Sequence, residues 1–147
     1  MALRFSSKSE LAWLSNFSEH PIKLDGVTWV SVEHYYQAQK YTEAAVIERI
    51  RGAATPLKAR KAGQDRSLQP RADWDAIKER VMHVVLLAKF TQHPRLQREL
   101  LSTGDEALIH ESQSDLFWGQ NTEGEGQNRL GVLLSLVRAA LRTKQGT

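Results

Sequence analysis

The feature that most constrains the fold is a short hairpin signal near the N-terminus, IKLDGVTW, from Ile22 to Trp29. Its Asp25-Gly26 pair is typical of a type I′ turn, and apolar residues alternate with polar ones on both sides of it. The pattern predicts two antiparallel strands with one buried face. Ser31 follows the hairpin directly and has the side chain of a helix N-cap. We therefore expect the hairpin to lead straight into a helix.

Most of the remaining apolar residues recur at the spacing of amphipathic helices. Short apolar runs at Leu3–Ser6 and Leu108–Ile109 predict additional strands. Together these patterns predict an α+β fold, a single, mainly helical domain over residues 1–147 with a small β-hairpin or sheet. The predicted helices are Glu43–Ala53, one that begins at Pro56 and stops at Gly63, a long one capped by Asp73, one through His93–Leu101, and Leu130–Arg142. The residues predicted to pack in the core from the long helix recur at helical spacing: Trp74, Ile77, Val81, Val84, Val85 and Ala88.

Composition excludes several classes of protein. A chain of 147 residues can bury a sizeable core, and the absence of cysteine excludes disulfides, thiol catalysis and cysteine zinc sites. The five histidines have no metal-ligand spacing, so neither a metal nor a cofactor is predicted. No apolar window approaches the roughly 20 residues of a membrane span, and we expect a cytoplasmic protein. The net charge of +3 favours an anionic ligand such as a phosphate.

The segment EHYYQAQK, read as one helix, places Glu33, Gln37 and Lys40 within roughly 80° of one another on a single face. Glu33 and Lys40 would stand roughly 10 Å apart along the axis, which is too far for an ion pair but suits a bound sugar ring. Tyr36 and Tyr41 flank this face and would form the walls of a pocket. The alternative is an ordinary amphipathic helix with its charges in water.

Two further segments combine polar and aromatic residues. Asn16 lies among bulky apolar residues in WLSNF and is either a structural bracket for a loop or a ligand contact. The segment from Ser112 to Asn128 holds Asp115, Phe117, Trp118 and three glycines, a composition typical of a site. A mobile surface loop would leave its two large aromatics unexplained, because such side chains favour burial. A basic region could be a solvated face or a phosphate contact: Lys58, Arg60, Lys61, Arg66 and Arg71.

The chain has no GxSxG, Walker A or HExxH motif, which leaves two carboxylates, Glu33 and Asp115, and a lysine. Two carboxylates can act as general acid and as stabiliser of an oxocarbenium-like transition state at a glycosidic bond. A lysine with a lowered pKa can instead attack the anomeric carbon and form an imine. Both chemistries act on C1 of a ribose.

At this point the motifs resemble those of a known family. The segments FSSKSELAWLSNF, SVEHYYQAQKY, RADWD, TGD and SDLFWG…GEGQNRLGVLL, with the hairpin, occur in the order found in the NADAR superfamily of YbiA-like proteins. The resemblance covers about Phe5 to Arg142 and implies a domain that cleaves N-glycosidic bonds to ribose. Some members hydrolyse phosphorylated ribosylamino-pyrimidines of early riboflavin biosynthesis, releasing ribose 5-phosphate. Others remove ADP-ribose from guanine, and a lysine imine has been proposed for these.

The resemblance also implies roles for individual residues. Glu33 would be the acid/base, and Lys40 the imine-forming or charge-stabilising residue. Asp115 and Trp118 would contact the ribose and base. Asn16 would position the ribose, and Arg60 or Arg66 would hold its phosphate. Further substrate-binding residues would be Tyr36, Gln37, Gly119 and Asn128.

The resemblance therefore implies an N-glycosidase acting on small phosphorylated ribosyl substrates of the riboflavin pathway. An ADP-ribosyl-guanine hydrolase acting on nucleic acid or guanine nucleotides is the alternative enzyme, and a sensor that binds ADP-ribose without cleaving it is the non-enzyme alternative. The sequence departs from the family pattern at three positions. Asn121 replaces the second glycine of WGxG, His110 replaces a glutamate and adds a pH-sensitive group, and Ser135 replaces a methionine.

Overall fold

The computed structural model of the protein describes residues 2–145. Its described elements are six α-helices, four β-strands and a short 3₁₀ helix at Ala12–Leu14, so the predicted α+β class, mainly helical with little sheet, is confirmed. The helices are α1 (Val32–Ala38), α2 (Ala44–Arg51), α3 (Pro56–Gly63), α4 (Trp74–Gln92), α5 (Pro94–Ser102) and α6 (Arg129–Gln145). The strands are β1 (Ala2–Phe5), β2 (Ile22–Leu24), β3 (Val27–Trp29) and β4 (Ala107–His110).

The chain forms two compact units. The hairpin unit consists of Asn16–Lys89, and the terminal unit consists of the described parts of Met1–Ser15 and Phe90–Thr147. Helix α4 passes from the first unit to the second between Lys89 and Phe90. The expectation that residues 1–147 form one domain stays a prediction.

In the hairpin unit, β2 and β3 pair antiparallel, with Ile22 opposite Trp29. The turn residues Asp25 and Gly26 have φ angles of 52° and 78°, as a type I′ turn requires at both central positions. Ile22 and Trp29 are both buried, so the hairpin has the single buried face predicted for it.

Ser31 caps α1, as predicted, by accepting a hydrogen bond from the backbone N–H of His34 at 3.2 Å. The His34 ring lies within 2.7 Å of the same hydroxyl, and its Nε2 donates to the Ala53 carbonyl at 2.9 Å. Helix α1 ends at Ala38, so the prediction that Lys40 lies on the same continuous helix is wrong. Lys40 instead belongs to the turn that follows.

The helices of the hairpin unit follow the predicted signals closely. Thr55 accepts a hydrogen bond from Lys58 N–H at the start of α3, Pro56 occupies its first turn, and Gly63 ends it. In α4 the predicted burial of Val84 is wrong, because this residue is 43% exposed. A hydrophobic cluster joins the hairpin to α1, α2 and α3: Trp29, Ala38, Tyr41, Val46, Ile50 and Ala59.

In the terminal unit, β1 and β4 form a parallel pair with Ala2 opposite Ala107. This pair confirms the strands predicted at Leu3–Ser6 and Leu108–Ile109. Helix α6 packs on β4, and the backbone of Gly131 touches the Leu108 carbonyl so closely that a Cβ would overlap it. All five residues predicted to face the core from α6 are buried: Leu130, Leu133, Leu134, Val137 and Leu141.

Candidate active site

The Glu33 carboxylate is buried in the hairpin unit, with 3% of the residue exposed. Its Oε2 accepts two hydrogen bonds, from Gln37 Nε2 at 2.7 Å and from Arg60 Nε at 3.3 Å. Gln37 lies one turn further along α1, and Arg60 comes from α3. No described residue hydrogen-bonds the second oxygen, Oε1. A buried charge needs a partner of opposite sign, and Arg60 supplies it while leaving one carboxylate oxygen available.

Arg60 is held from two sides. Its guanidinium carbon lies 4.4 Å from the centroid of the Phe17 ring, within the range of a cation–π contact, while Nε bonds to Glu33. The side chain is 41% exposed, and its two Nη nitrogens make no hydrogen bond to the described residues. Arg60 thus has a fixed orientation and free donors on its exposed end.

Lys40 lies beside this cluster in the turn after α1. Its backbone N–H donates to the Gln37 carbonyl at 3.3 Å, and its own carbonyl accepts from Arg71 N–H at 2.7 Å. The ammonium lies 5.9 Å from the centroid of the Tyr36 ring, which in turn meets Trp74 edge-on at 5.1 Å. The turn therefore places Lys40 over an aromatic surface, at the side of the Glu33 helix.

Burial lowers the pKa of Lys40 below its ordinary value of 10.5, and this desolvation is the largest influence on it. The Glu33 carboxylate opposes the shift by raising the pKa, whereas the positive charges of Arg60 and Lys78 lower it further. The lowered pKa increases the fraction of neutral amine at a given pH. A neutral amine is the form that can act as a nucleophile.

Asn16 lies next to Glu33 through its backbone, because its carbonyl accepts the Glu33 N–H at 3.1 Å. Its side-chain Nδ2 makes a long contact of 3.6 Å with the Met82 sulfur. Its Oδ1 is buried and has no hydrogen-bond partner among the described residues. The structure thus supports a structural bracket through the backbone, and it leaves the side-chain oxygen as a possible ligand contact.

Two predicted neighbours make no hydrogen bond to the Glu33 carboxylate. Tyr41, expected to form a pocket wall, is buried, and its hydroxyl donates to the Gly63 carbonyl at 2.6 Å. Arg66, the second candidate for a phosphate contact, is exposed after the end of α3 and makes no hydrogen bond or ion pair with the described residues. Of the two predicted arginines, only Arg60 is joined to Glu33.

The loop of the terminal unit is organised by Asp115. Its Oδ1 accepts hydrogen bonds from Phe117 N–H at 3.2 Å and Trp118 N–H at 3.0 Å, and its own N–H donates to the Ser112 hydroxyl. The carboxylate therefore caps the turn that carries the two aromatics. Trp118 is 8% exposed and meets Phe117 edge-on at 4.9 Å.

Gly119 and Asn128 connect this loop to β4. A Cβ at Gly119 would lie 2.8 Å from the His110 carbonyl oxygen, so the close approach needs a glycine. Asn128, with φ of 47°, donates through Nδ2 to the Leu108 carbonyl and accepts through Oδ1 from the His110 N–H, both at 2.9 Å. Both polar atoms of its side chain are engaged with β4, and substrate binding by Gly119 and Asn128 stays a prediction.

Within residues 2–145, no group of three or more histidine, aspartate or glutamate side chains is placed to hold a metal ion. In the same range, no helix has both the length and the apolar character to cross a membrane.

Comparison with known proteins assigns the chain to a family. The model of the NADAR domain matches residues 4–142. The chain belongs to the NADAR family. The family assignment made from the sequence motifs is therefore confirmed.

Several named relatives are similar over most of this chain. It is 42% identical over 137 residues to the N-glycosidase YbiA of Escherichia coli, which covers 93% of this chain and 86% of the relative. It is 44% identical to an N-glycosidase of Nostoc punctiforme, covering 87% of this chain and 84% of the relative. A riboflavin biosynthesis protein of Vibrio vulnificus is 37% identical over 88% of this chain, which spans 35% of that longer protein.

The structure is also similar to a solved structure. The NMR structure of Escherichia coli YbiA matches with a TM-score of 0.90 and 40% identity, covering 98% of this chain and 86% of the other.

The three departures from the NADAR pattern have local consequences. Asn121 orders the turn after Trp118, because its Oδ1 accepts from the backbone N–H groups of Glu123 and Glu125 while Nδ2 donates to the Glu125 carboxylate. The His110 ring stacks at a tilt on Phe5 with centroids 5.3 Å apart. Ser135 donates to the Gly131 carbonyl within α6.

Sequence analysis missed residues that complete the Glu33 and Lys40 surroundings. Phe17 lies under Arg60, although its motif was noted only for Asn16. Trp74 was assigned to core packing, but it is only partly buried and contacts Tyr36. The available signal was the position of both aromatics inside the family motifs, next to polar residues.

Proposed function

We propose that this N-glycosidase hydrolyses phosphorylated ribosylamino-pyrimidines, the early intermediates of riboflavin biosynthesis, and releases ribose 5-phosphate. The N-glycosidase class follows from the NADAR family and from relatives named as N-glycosidases. The pathway is supported by a relative named as a riboflavin biosynthesis protein. The observation that carries the proposal is a buried, oriented carboxylate, Glu33, beside a lysine of lowered pKa, Lys40.

Glu33 is suited to proton transfer at one defined atom. Oε2 is fixed by Gln37 and Arg60, whereas Oε1 accepts no hydrogen bond from the described residues. We place the proton transfer at Oε1, which would protonate the departing amine nitrogen or take a proton from the attacking water. A positioned general acid or base typically contributes 10²–10⁴-fold to the rate, an order-of-magnitude range.

Lys40 is suited to attack on the anomeric carbon. Its lowered pKa increases the fraction of neutral amine, whose lone pair would bond to C1 as the C1–N bond to the pyrimidine breaks. Ring opening then gives an imine, and water releases the sugar and restores the amine. Without this step, a charged Lys40 would only stabilise negative charge on the substrate.

Arg60 is the residue we propose for the substrate phosphate. Phe17 and Glu33 fix its orientation, and its exposed Nη donors match the bidentate geometry that guanidinium groups offer to phosphate. Arg66 lies outside the cluster and would contribute only charge.

One observation favours a second substrate class. Lys58 and Lys61 on α3 and Arg66 after it are all exposed, and so much positive charge near Arg60 suits a diphosphate or a nucleic acid. An ADP-ribosyl-guanine hydrolase is therefore the alternative proposal. The cytoplasmic location expected from the sequence stays a prediction.

The deciding experiment is mass spectrometry on two parallel reactions, one with phosphorylated ribosylamino-pyrimidine and one with guanine-ADP-ribosylated DNA. We expect release of ribose 5-phosphate in the first and no ADP-ribose in the second. Release of ADP-ribose alone would replace the proposal with the alternative. Binding without cleavage in both, retained in Glu33→Ala, would indicate an ADP-ribose sensor.

A further inference from the structure

The C-terminal end of α3 presses against the side chain of Gln37 on α1. A Cβ at Gly63 would lie 2.7 Å from Gln37 Cβ and 2.9 Å from Gln37 Cδ, and it would also overlap Oε1. Real Cβ atoms do not approach other heavy atoms this closely. Glycine is needed at position 63 because of the space that Gln37 fills.

Tyr41 holds this end of α3 in place. Its hydroxyl donates to the Gly63 carbonyl at 2.6 Å, one of the carbonyls that a helix leaves without an internal partner. Burial, aided by the negative charge of Asp65, raises the pKa of Tyr41 above its ordinary value of 10.0, and the protonated hydroxyl is the form that donates this hydrogen bond. The hydrogen bond from Tyr41 therefore fixes the position of Gly63 against Gln37.

The Gln37 amide has only one productive orientation. The residue is 2% exposed, its Nε2 donates to Glu33 Oε2 at 2.7 Å, and its Oε1 has no hydrogen-bond partner among the described residues. Turning the amide over would set its oxygen against the carboxylate, and two acceptors repel. Donating through Nε2 to Glu33 therefore leaves the buried Oε1 of Gln37 without a hydrogen bond, which is energetically unfavourable.

We propose that Gln37 is a positioning residue for Glu33. The close packing of Gly63, whose carbonyl is bound by Tyr41, keeps the Gln37 side chain in the orientation that donates to Glu33. The assignment rests on the proposed role of Glu33 as the acid/base. It differs from the substrate contact predicted for Gln37, because Nε2 is used by Glu33 and Oε1 faces Gly63. Arg60 lies one turn before Gly63, so α3 fixes the carboxylate both directly and through Gln37.

The first test separates positioning from substrate binding. In Gln37→Met and Gly63→Ala, we expect kcat on phosphorylated ribosylamino-pyrimidine to fall about 10- to 100-fold, the scale of a misplaced catalytic group. KM should stay within about twofold, because the substrate contacts are kept. Tyr41→Phe should have the same effect to a smaller extent. An increase in KM with unchanged kcat would overturn the proposal in favour of substrate contact.

A double variant tests the order of the contacts. If Gly63 acts through Gln37, the kcat of Gln37→Met/Gly63→Ala equals that of Gln37→Met alone. Gly52→Ala is the matched control, since Gly52 also ends a helix of this unit but faces only the Glu48 carbonyl, at 3.2 Å. We expect it to retain kcat within about twofold. Multiplicative losses in the double variant would reject a shared route.

Two further measurements distinguish failure of this inference from failure of the proposed function. If Glu33→Gln is inactive while Gln37→Met keeps full kcat, positioning is rejected and the role of Glu33 stands. Side-chain NMR tests the contact without any substrate. The Gln37 amide resonances, identified by their loss in Gln37→Met, should move in both Glu33→Gln and Gly63→Ala, and unchanged resonances in Gly63→Ala would overturn the inference.

Discussion

The Glu33 cluster and the Asp115–Asn128 loop both place polar side chains among aromatic residues, but they use those side chains differently. In the loop, Oδ1 of Asp115 and both polar side-chain atoms of Asn128 bond to backbone groups of the loop and of β4. In the cluster, the Glu33 carboxylate is bound by other side chains and keeps one oxygen without a hydrogen bond from the described residues. The loop side chains stabilise the conformation of the backbone, whereas the cluster side chains bind and orient a carboxylate.

This difference shows how structural and reactive polar groups can be told apart. A polar group whose hydrogen bonds are all made by backbone stabilises that backbone, and its removal affects folding first. A buried charge that is oriented but incompletely bonded keeps capacity for a ligand. Substitutions in the two regions should therefore change different quantities.

The largest effect is expected from Glu33→Gln, which keeps the shape of the side chain but removes its negative charge and its ability to donate or accept a proton. We expect kcat to fall by at least about 10²-fold, as for loss of a general acid or base. Glu48→Gln is the control, because Glu48 is an exposed glutamate of the same unit paired with Arg51. Equal activity of the two variants would remove Glu33 from catalysis.

The next effect is expected from Lys40→Arg, which keeps the positive charge but cannot form an imine. We expect a loss of kcat of at least about tenfold, and a sugar adduct on wild-type Lys40 when borohydride is added during turnover. Since burial lowers the pKa of Lys40, the wild-type rate should rise as pH increases through that lowered pKa and level off below 10.5. Full activity of Lys40→Arg without an adduct would leave charge stabilisation as its role.

Variants of Asp115 test most directly whether a polar side chain of the loop is structural or catalytic. Asp115 is predicted to be catalytic, but in the structure it caps a turn. Asp115→Asn keeps an oxygen for the two backbone N–H groups and removes the charge, whereas Asp115→Ala removes both. If Asp115 takes part in catalysis, both variants should lose kcat by about tenfold or more, and only the alanine variant should lose thermal stability. An asparagine variant with normal kcat would reduce Asp115 to its structural role.

The smallest effect on turnover is expected from Asn128→Gly, in which glycine tolerates the φ of 47° and the side chain with its amide is removed. Losing both hydrogen bonds to β4 should lower the free energy of unfolding by about 1–3 kcal/mol, measured by urea denaturation. With Asn128 confined to structure, KM on the folded protein should not change. A KM raised at least about tenfold would instead support the predicted substrate contact.

Local signals in the sequence were sufficient for most of the fold. The Asp25-Gly26 turn, the Ser31 cap and the apolar face of α6 depend on neighbours in the chain, and all three were predicted correctly. The end of α1 was missed because no glycine or proline marks it, and the chain turns at Gln39. Val84 was misplaced because periodicity gives a helical face but not its boundary with solvent.

The contacts of the candidate site were not predicted, and the roles of its residues stay predictions. Glu33, Gln37 and Arg60 were all named from the sequence, yet the convergence of Gln37 and Arg60 on one oxygen depends on how α1 packs against α3. That approach requires Gly63, which the sequence showed only as a helix stop. Long-range packing of this kind leaves no local pattern to read.

The buried pair of Ser31 and His34 gives this protein an internal spectroscopic reporter. A carbonyl only accepts hydrogen bonds, so the bond to Ala53 places a hydrogen on His34 Nε2, and this hydrogen is shielded from water. Such an imidazole proton exchanges slowly and gives a resolved nitrogen-bound signal in NMR. Because His34 is the residue next to Glu33, the signal would report whether α1 remains folded in every variant, without any label or substrate.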